Sequence, residues 1–212
     1  MPDRAVIYVD GNNWYHALKS ANVPDLGALD YARISRKLAG TRQWVETRYY
    51  IGRVTQQGDH ALYANQRRFI ARLQATDARI SIHFGRLELR PAVDRAAWEL
   101  KRYLHSLPVK IDPRVYRDLY RIAEENSRAV TYIEKAVDVA LAVDLVVMAE
   151  RDAFDSAYIL SADGDFTPAV KAVRNHDKKV YAASPARGAE LAAAVNTYIP
   201  LRAEWFTDCY RV

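Results

Sequence analysis

Short apolar runs alternate with segments of helical periodicity along most of this chain. The first run, residues 5–9, is β-branched and aromatic and is followed directly by Asp10 and Gly11, which is typical of a buried strand that ends in a turn. Four later runs also predict strands, at 45–54, 79–87, 157–160 and 179–183. Because strands that alternate with helices form parallel sheets, we predict an α/β fold with a mostly parallel central sheet of about five strands flanked by helices.

The predicted helices separate these strands. They lie at 14–20, 29–38, 60–75, 133–150, 166–175 and 186–195. Between about 90 and 128 the alternation of strands and helices is interrupted, because two amphipathic helices, 94–106 and 113–125, follow one another around Pro108. We interpret 90–128 as a helical insertion into a single domain that spans residues 1–212.

Composition limits the class of protein. The 31 Lys and Arg exceed the 26 Asp and Glu by five, which is compatible with an acidic partner such as nucleic acid. The single cysteine, Cys209, excludes an intrachain disulfide and a cysteine-based zinc site, and it favours a reducing, cytoplasmic location. The start of the chain does not resemble a secretory signal, and the longest apolar stretch, 136–149, falls short of the roughly 20 residues that span a bilayer. We therefore expect a soluble protein.

Carboxylates follow two of the predicted strands. Asp10 ends the first, while Asp163 and Asp165 flank Gly164 after the fourth. The carboxyl ends of parallel strands meet at one edge of a sheet, where α/β proteins bind ligands, and carboxylate oxygens suit a hard cation. The alternative is local: Asp165 caps the helix that begins at Phe166, and Asp163 makes a turn.

The helix predicted at 133–150 is apolar almost all round, so we expect it to be buried. It contains Asp138 and Asp144, and buried carboxylates require partners. Six residues separate these two by about 120° around the helix, so they are not expected to bind one cation. A salt bridge to Lys135 or an arginine is the alternative for Asp138, and a capping or bridging role is favoured for Asp144.

Three separated segments form a pattern. They read Val9-Asp10-Gly11-Asn12-Asn13, then Glu134-Lys135-Ala136-Val137-Asp138-Val139-Ala140-Leu141-Ala142-Val143-Asp144-Leu145, then Ser161-Ala162-Asp163-Gly164-Asp165-Phe166 with Pro168. Together they resemble the NYN domain of the LabA-like (DUF88) proteins, a branch of the PIN-like nuclease superfamily. Glycine is commoner in that family at the positions of Ala136 and Ala162, and the methyl group of Ala162 tests whether the backbone there needs a positive φ.

The resemblance implies a compact Rossmann-like PIN/NYN fold and a ribonuclease that uses Mg²⁺ or Mn²⁺ to hydrolyse RNA phosphodiester bonds. Four residues fall on the family's acidic positions, as catalytic and metal-binding candidates: Asp10, Asp138, Asp163 and Asp165. In this hypothesis Asp10 and Asp163 hold one metal ion, the other two complete the site directly or through water, and Asn12 orients a ligand or phosphate. A metal ion would screen the phosphodiester charge and lower the pKa of a bound water.

Substrate-binding candidates follow the first and second strands. Asn12 and Asn13 lie beside Asp10, and aromatic residues such as Trp14 stack on unpaired bases, which favours single-stranded RNA as the partner. Arg53 ends the second strand, where it could contact a phosphate. The alternatives are that one or two of the three residues Trp14, Tyr15 and His16 plug the core under the first helix, and that Arg53 is simply solvated.

The predicted insertion offers a second candidate surface. It contains Arg114, Arg117 and Arg121 at helical spacing beside Tyr116 and Tyr120, either as a basic and aromatic contact surface or as ordinary helix packing. Its helices could also supply a homodimer contact.

Other classes fit less well. A haloacid-dehalogenase-like phosphatase usually has a second aspartate at the position of Asn12, and a nucleotide-binding Rossmann module needs a glycine-rich turn after the first strand. The main alternative is a regulatory or adaptor module that binds RNA or protein on the same fold without catalysis. Such a module is expected to have lost one or more metal-binding acids, and all four are present here.

Overall fold

A computed structural model describes residues 2–55, 60–91, 94–107, 110–127 and 130–211 of the chain. Within these residues, seven strands alternate with eight α-helices. The strands are β1 Arg4–Asp10, β2 Gln43–Arg53, β3 Ile80–Pro91, β4 Val130–Lys135, β5 Ser156–Leu160, β6 Lys179–Ser184 and β7 Thr197–Pro200. The helices are α1 Gly11–Ser20, α2 Tyr31–Ala39, α3 His60–Thr76, α4 Arg95–His105, α5 Pro113–Ser127, α6 Val137–Glu150, α7 Thr167–Arg174 and α8 Ala189–Ala194.

The strands form one sheet in the order β4-β3-β2-β1-β5-β6-β7. Six of them, from β3 to β7 across the sheet, pair in parallel. The predicted α/β class with a mostly parallel sheet is therefore confirmed, and two short edge strands, β4 and β7, extend it beyond the five predicted. Strand order proceeds outward from β1 on one side and from β5 on the other, so the topological switch point lies between these two strands.

The described residues divide into two compact units, Met1–Arg86 with Lys135–Val212, and Leu87–Glu134. In the first unit both faces of the sheet are covered. One core packs against Ile7 and Val9, and the other packs against Val6 and Tyr8. Because alternate residues of β1 face opposite cores, the whole strand is apolar, which is why its sequence is a continuous apolar run.

The second unit contains the two helices predicted for the insertion, α4 and α5. Tyr116 and Tyr120 are half-buried and stacked with ring centroids 6.1 Å apart, and the Tyr120 ring also contacts His105 of α4. The tyrosines therefore serve helix packing, the alternative stated above. The three arginines of the predicted contact surface are exposed, namely Arg114, Arg117 and Arg121.

The prediction of one helix over 133–150 is wrong at its start. Residues 130–135 form β4, and α6 begins only at Val137. The β-branched and aromatic residues before position 134 favour a strand, and a short apolar run cannot be assigned by periodicity alone. The helix is also not buried all round, because Val139 and Val143 are 65% and 53% exposed. No helix in the described ranges has both the length and the apolar character needed to cross a bilayer.

Ala136, at the junction of β4 and α6, adopts a left-handed conformation with φ of +68°. An L residue with a β-carbon is strained in this region, whereas glycine is not. Ala162, the second position where the resemblance favours glycine, does not have a positive φ. The left-handed turn thus explains the glycine preference at position 136 and not at position 162.

Replacement of Ala136 by glycine is expected to raise the free energy of unfolding by up to about 1 kcal/mol, because it removes the strain of a β-carbon at positive φ. Chemical denaturation with unchanged m-value would measure it. Ala162→Gly is the matched control and is expected to lower stability, since there glycine only adds entropy to the unfolded chain. A loss of stability in Ala136→Gly would contradict the assigned turn.

Candidate active site

Asp10 is the last residue of β1 and is only 2% exposed. One carboxylate oxygen accepts the backbone N–H of Asn13 at 3.3 Å and so caps α1, while the other accepts the hydroxyl of Ser161 at 2.9 Å. A buried carboxylate that accepts hydrogen bonds on both oxygens keeps a defined orientation. The Asp10 side chain is therefore held in place at the switch point of the sheet.

Two further hydrogen bonds order this region, one within the turn after β5 and one between that turn and the start of α1. The Ser161 hydroxyl, which donates to Asp10, accepts the backbone N–H of Asp163 at 3.1 Å. The side-chain oxygen of Asn13 accepts the backbone N–H of Ala162, also at 3.1 Å. Asn13, predicted to bind substrate, thus uses its oxygen to position the 161–163 turn. Sequence reasoning assigned no role to Ser161, although its place after a buried strand and beside the acidic pair was a signal.

Asp163 and Asp165 differ in their surroundings. Asp163 is half-buried and accepts the backbone N–H of Asp165 at 2.9 Å, which caps the 3₁₀ turn Gly164–Phe166. Asp165 is exposed, and α7 begins at Thr167 without a side-chain cap. The capping role proposed as the alternative for Asp165 therefore belongs to Asp163, and the Asp165 carboxylate is directed to solvent rather than to a helix terminus.

Asp138 lies in the first turn of α6 and interacts electrostatically with Asp163 and Asp165, the two aspartates after β5. Partial removal of its carboxyl from water raises the pKa of Asp138, and the negative charges of Asp163 and Asp165 raise that pKa further. An ion pair with Lys135 would instead lower the pKa. The three carboxylates thus repel one another at the same edge of the sheet as Asp10.

Oxygen donors are the ligands that Mg²⁺ and Mn²⁺ prefer, and mutual repulsion among carboxylates is what a divalent cation relieves. The donor set of Asp10, Asp138, Asp163 and Asp165 therefore fits such an ion chemically. In the part of the chain that the structure describes, no three His, Cys, Asp or Glu side chains are arranged closely enough to hold a metal ion. The structure thus brings the predicted acids to one edge without forming a closed ligand set.

A further carboxylate at this edge was missed by sequence reasoning. A β-carbon placed on Gly164 would lie only 2.8 Å from Oε2 of Glu190, so the exposed Glu190 of α8 packs against the glycine between the two aspartates. Nothing in the sequence near Glu190 indicates this neighbour, because α8 is brought there by the turn after β6. A side chain at position 164 would have to displace the flexible Glu190 carboxylate.

Asp144 lies apart from the other acids. Its carboxylate accepts hydrogen bonds from the Arg48 guanidinium at 2.8 Å and the Tyr50 hydroxyl at 2.7 Å. Burial by itself would raise the pKa of Asp144, but the hydrogen bonds from Tyr50 and Arg48 outweigh it and lower that pKa. The side chain therefore links α6 to β2, which agrees with the bridging role predicted for it.

The substrate-binding candidates occupy different environments. Trp14 is fully buried, with its ring centroid 6.0 Å from that of Phe206, so the prediction that it stacks on a base is wrong. Asn12 is exposed next to Asp10, and Tyr15 is 47% exposed. Arg53 is exposed at the end of β2, the strand beside β1. Helix α1 packs with Trp14 toward the core, so Asn12 and Tyr15, rather than Trp14, lie at the surface.

The parallel sheet, its switch point and the acidic edge define a PIN-like α/β protein. A family model described as NYN domain matches residues 4–202, nearly the whole chain. The chain belongs to the NYN domain family.

One solved structure resembles the fold of this chain. The chain is similar to the crystal structure of a protein of unknown function from Vibrio parahaemolyticus, with 16% identity, a TM-score of 0.56, and coverage of 93% of this chain and 92% of that one. No curated protein matches the sequence. This structural likeness concerns the fold alone and carries no assignment of activity.

Proposed function

We propose that this protein is a divalent-metal-dependent ribonuclease that hydrolyses RNA phosphodiester bonds at the carboxyl ends of β1 and β5. The observation that carries the proposal is the convergence of Asp138, Asp163 and Asp165 on one edge, where desolvation first, and then the charges of Asp163 and Asp165, raise the pKa of Asp138. Repulsion among carboxylates is relieved when a cation binds to them or when one of them stays protonated, and such groups are common at functional sites. Membership of the NYN family supports the same function.

Asp10 and Asp163 would hold Mg²⁺ or Mn²⁺, with Asp138 and Asp165 completing the site directly or through water. The bound ion would supply Lewis acidity, which lowers the pKa of a water nucleophile and screens the phosphodiester. Ser161 orients the Asp10 carboxylate by hydrogen bonding. In this proposal the exposed Asn12 orients a phosphate oxygen, and the exposed Arg53 neutralises a neighbouring phosphate.

Single-stranded RNA is the substrate that we propose, because Tyr15, on the helix that Asp10 caps, exposes a ring able to stack on a base, whereas a duplex hides its bases. We propose the cytoplasm as its location, since the single cysteine, Cys209, is a buried free thiol suited to a reducing compartment. The helical insertion and the homodimer contact remain predictions.

A binding module without catalysis is the second candidate function. It is favoured by one observation: both oxygens of Asp10 already accept hydrogen bonds from Asn13 and Ser161. In that case the acids would act as hydrogen-bonded scaffolding of the switch point, and the protein would bind RNA or a protein partner without cleaving it.

Cleavage of labelled single-stranded RNA and DNA separates the two functions. We would compare the wild type with an Asp10→Asn, Asp163→Asn double variant in Mn²⁺, Mg²⁺ or EDTA. The proposal expects cleavage of RNA by the wild type with metal, and none in EDTA or in the variant. Retained RNA binding without cleavage would favour the binding module, and undiminished cleavage by a clean preparation of the variant would exclude these acids as the reacting site.

Metal binding is expected to stabilise the fold. A ligand that binds only the native state at tenfold its Kd adds about 1.4 kcal/mol, which raises the thermal midpoint by about 3–6 °C in a protein of this size. Differential scanning fluorimetry with increasing Mn²⁺ or Mg²⁺ would measure this shift. The double variant should show no shift, whereas Glu150→Gln, which removes an exposed charge at the far end of α6, should match the wild type. Equal shifts in all three proteins would count against a site at these acids.

A further inference from the structure

An exposed aromatic ring lies on β3 near the acidic edge, outside the set of acids. Phe84 is 38% exposed, although Ile80 and Ile82, which precede it on the same face of the strand, pack into or against the core. The guanidinium carbon of Arg53 lies 4.2 Å from the centroid of the Phe84 ring, within stacking distance. We call this pair the Arg53/Phe84 platform.

The sheet register places the platform close to the acids. Asp10 of β1 is opposite Tyr50 of β2, and the next residue of β2, Ile51, is opposite Phe84 of β3. Two strand spacings and one residue step separate Asp10 from Phe84, which corresponds to about 10 Å between their Cα atoms. An RNA chain with a phosphate at the acids therefore has a neighbouring nucleotide within reach of the platform.

The backbone beneath Arg53 is held by α3. The Gln66 side chain donates to the carbonyl of Gly52 at 2.7 Å and accepts the N–H of Val54 at 2.9 Å, so it fixes the residues on both sides of Arg53. Phe84 supports the guanidinium from one side. A cation that is held flat before a ligand arrives loses less conformational entropy on binding than a free arginine does.

We propose that the Arg53/Phe84 platform stacks on an unpaired base of the single-stranded RNA substrate, with the base on the outer plane of the guanidinium and Phe84 as its support. The inference rests on the proposed function, since it assumes RNA at the acidic edge. Guanidinium planes and aromatic rings are surfaces on which proteins hold splayed-out bases. The positive charge of Arg53 matches the negative charge of the adjacent phosphates.

Variants that keep charge or volume but remove a stacking plane test this inference. Arg53→Lys keeps the charge and loses the planar fork, and Phe84→Leu keeps an apolar side chain and loses the ring. Arg68→Lys makes the same exchange at an exposed position of α3 and is the matched control. Thermal midpoints measured alongside establish that each variant is folded.

The readout is fluorescence anisotropy of a labelled single-stranded RNA of about a dozen nucleotides in EDTA, so that binding is measured without cleavage. A second oligonucleotide of equal length carries abasic sites. We expect Arg53→Lys and Phe84→Leu to weaken RNA binding about fivefold or more, to bind the abasic chain like the wild type, and Arg68→Lys to bind both unchanged.

Wild-type affinity in Arg53→Lys, equal losses for the abasic chain, or absence of wild-type RNA binding in EDTA would each overturn the stacking role. None of these outcomes depends on turnover. If the wild type cleaves RNA but the two platform variants bind RNA as tightly as the wild type does, the stacking role is overturned and the nuclease function is retained. Binding that depends on the platform, without cleavage, would overturn the nuclease function and keep the stacking role.

Discussion

Replacement of Asp163 by asparagine is expected to reduce metal-dependent cleavage of RNA by about 100-fold or more. A metal ion contributes several kcal/mol of charge stabilisation in the transition state, and loss of a charged ligand removes much of that effect. Asparagine caps helical turns as well as aspartate does, so the hydrogen bond from the Asp165 N–H is expected to persist and the fold to remain intact. The value of kcat/KM at saturating Mn²⁺, with the thermal midpoint, measures the effect.

Two controls make this result specific. Glu150→Gln removes one exposed negative charge from the other end of α6 and should leave kcat/KM unchanged. In Asp163→Asn the pKa of Asp138 should fall, because the charge of Asp163 is one cause of its elevation, after desolvation. Activity of Asp163→Asn within threefold of the wild type, in a folded protein, would remove Asp163 from the reacting centre.

Replacement of Trp14 by alanine is expected to lower the free energy of unfolding by about 3–5 kcal/mol, the range for large aromatic residues deleted from a core. The Trp14 side chain is fully buried and packs on Phe206 in the core that also contains Leu18 and Ile7. Its loss leaves a cavity that the surrounding side chains fill only in part. Equilibrium denaturation in urea measures the change.

Tyr15 is the natural comparison for Trp14, because it is the next residue of the same helix and is 47% exposed. Tyr15→Ala should change stability by no more than about 0.5 kcal/mol. Trp14→Phe, which retains most of the buried ring, should bind single-stranded RNA like the wild type. Selective loss of RNA binding in folded Trp14→Phe would show that the indole reaches the ligand and would contradict its burial.

The errors of prediction at Trp14 and α6 have related physical causes. Successive residues of a helix point about 100° apart, so Trp14 and Tyr15 cannot both face the core, and only the side on which α1 packs against β1 selects between them. The residues from Ile133 to Lys135 adjoin the apolar stretch of α6 in the sequence, and they form a strand because the edge of the sheet at β3 is available to pair with them. The edge strand β7 is only four residues long, too short for a pattern to distinguish it from a loop.

The positions of Asp10 and Asp163 in the fold were predictable, because the end of a strand is indicated by the few residues around it. Asp10 and Asp163 follow continuous apolar runs, and in a parallel sheet such positions meet at one edge. Their connection was not predictable. Ser161 joins Asp10 to the Asp163 turn only because β1 and β5 are neighbours, and Glu190 reaches Gly164 only because β6 returns the chain to the same edge.

Local patterns in the sequence thus determined the α/β class, most strands and helices, and the strand ends at which the acids lie. These features depend on apolar periodicity and on turn residues, which act over a few positions. The tertiary structure decided which side chains of α1 are buried, where β4 ends and α6 begins, and how Asp10 is oriented. These features depend on contacts between distant segments, such as the hydrogen bond that joins Asp10 to Ser161 across 151 positions. Short-range periodicity contains no information about such contacts until strand order and register bring the segments together.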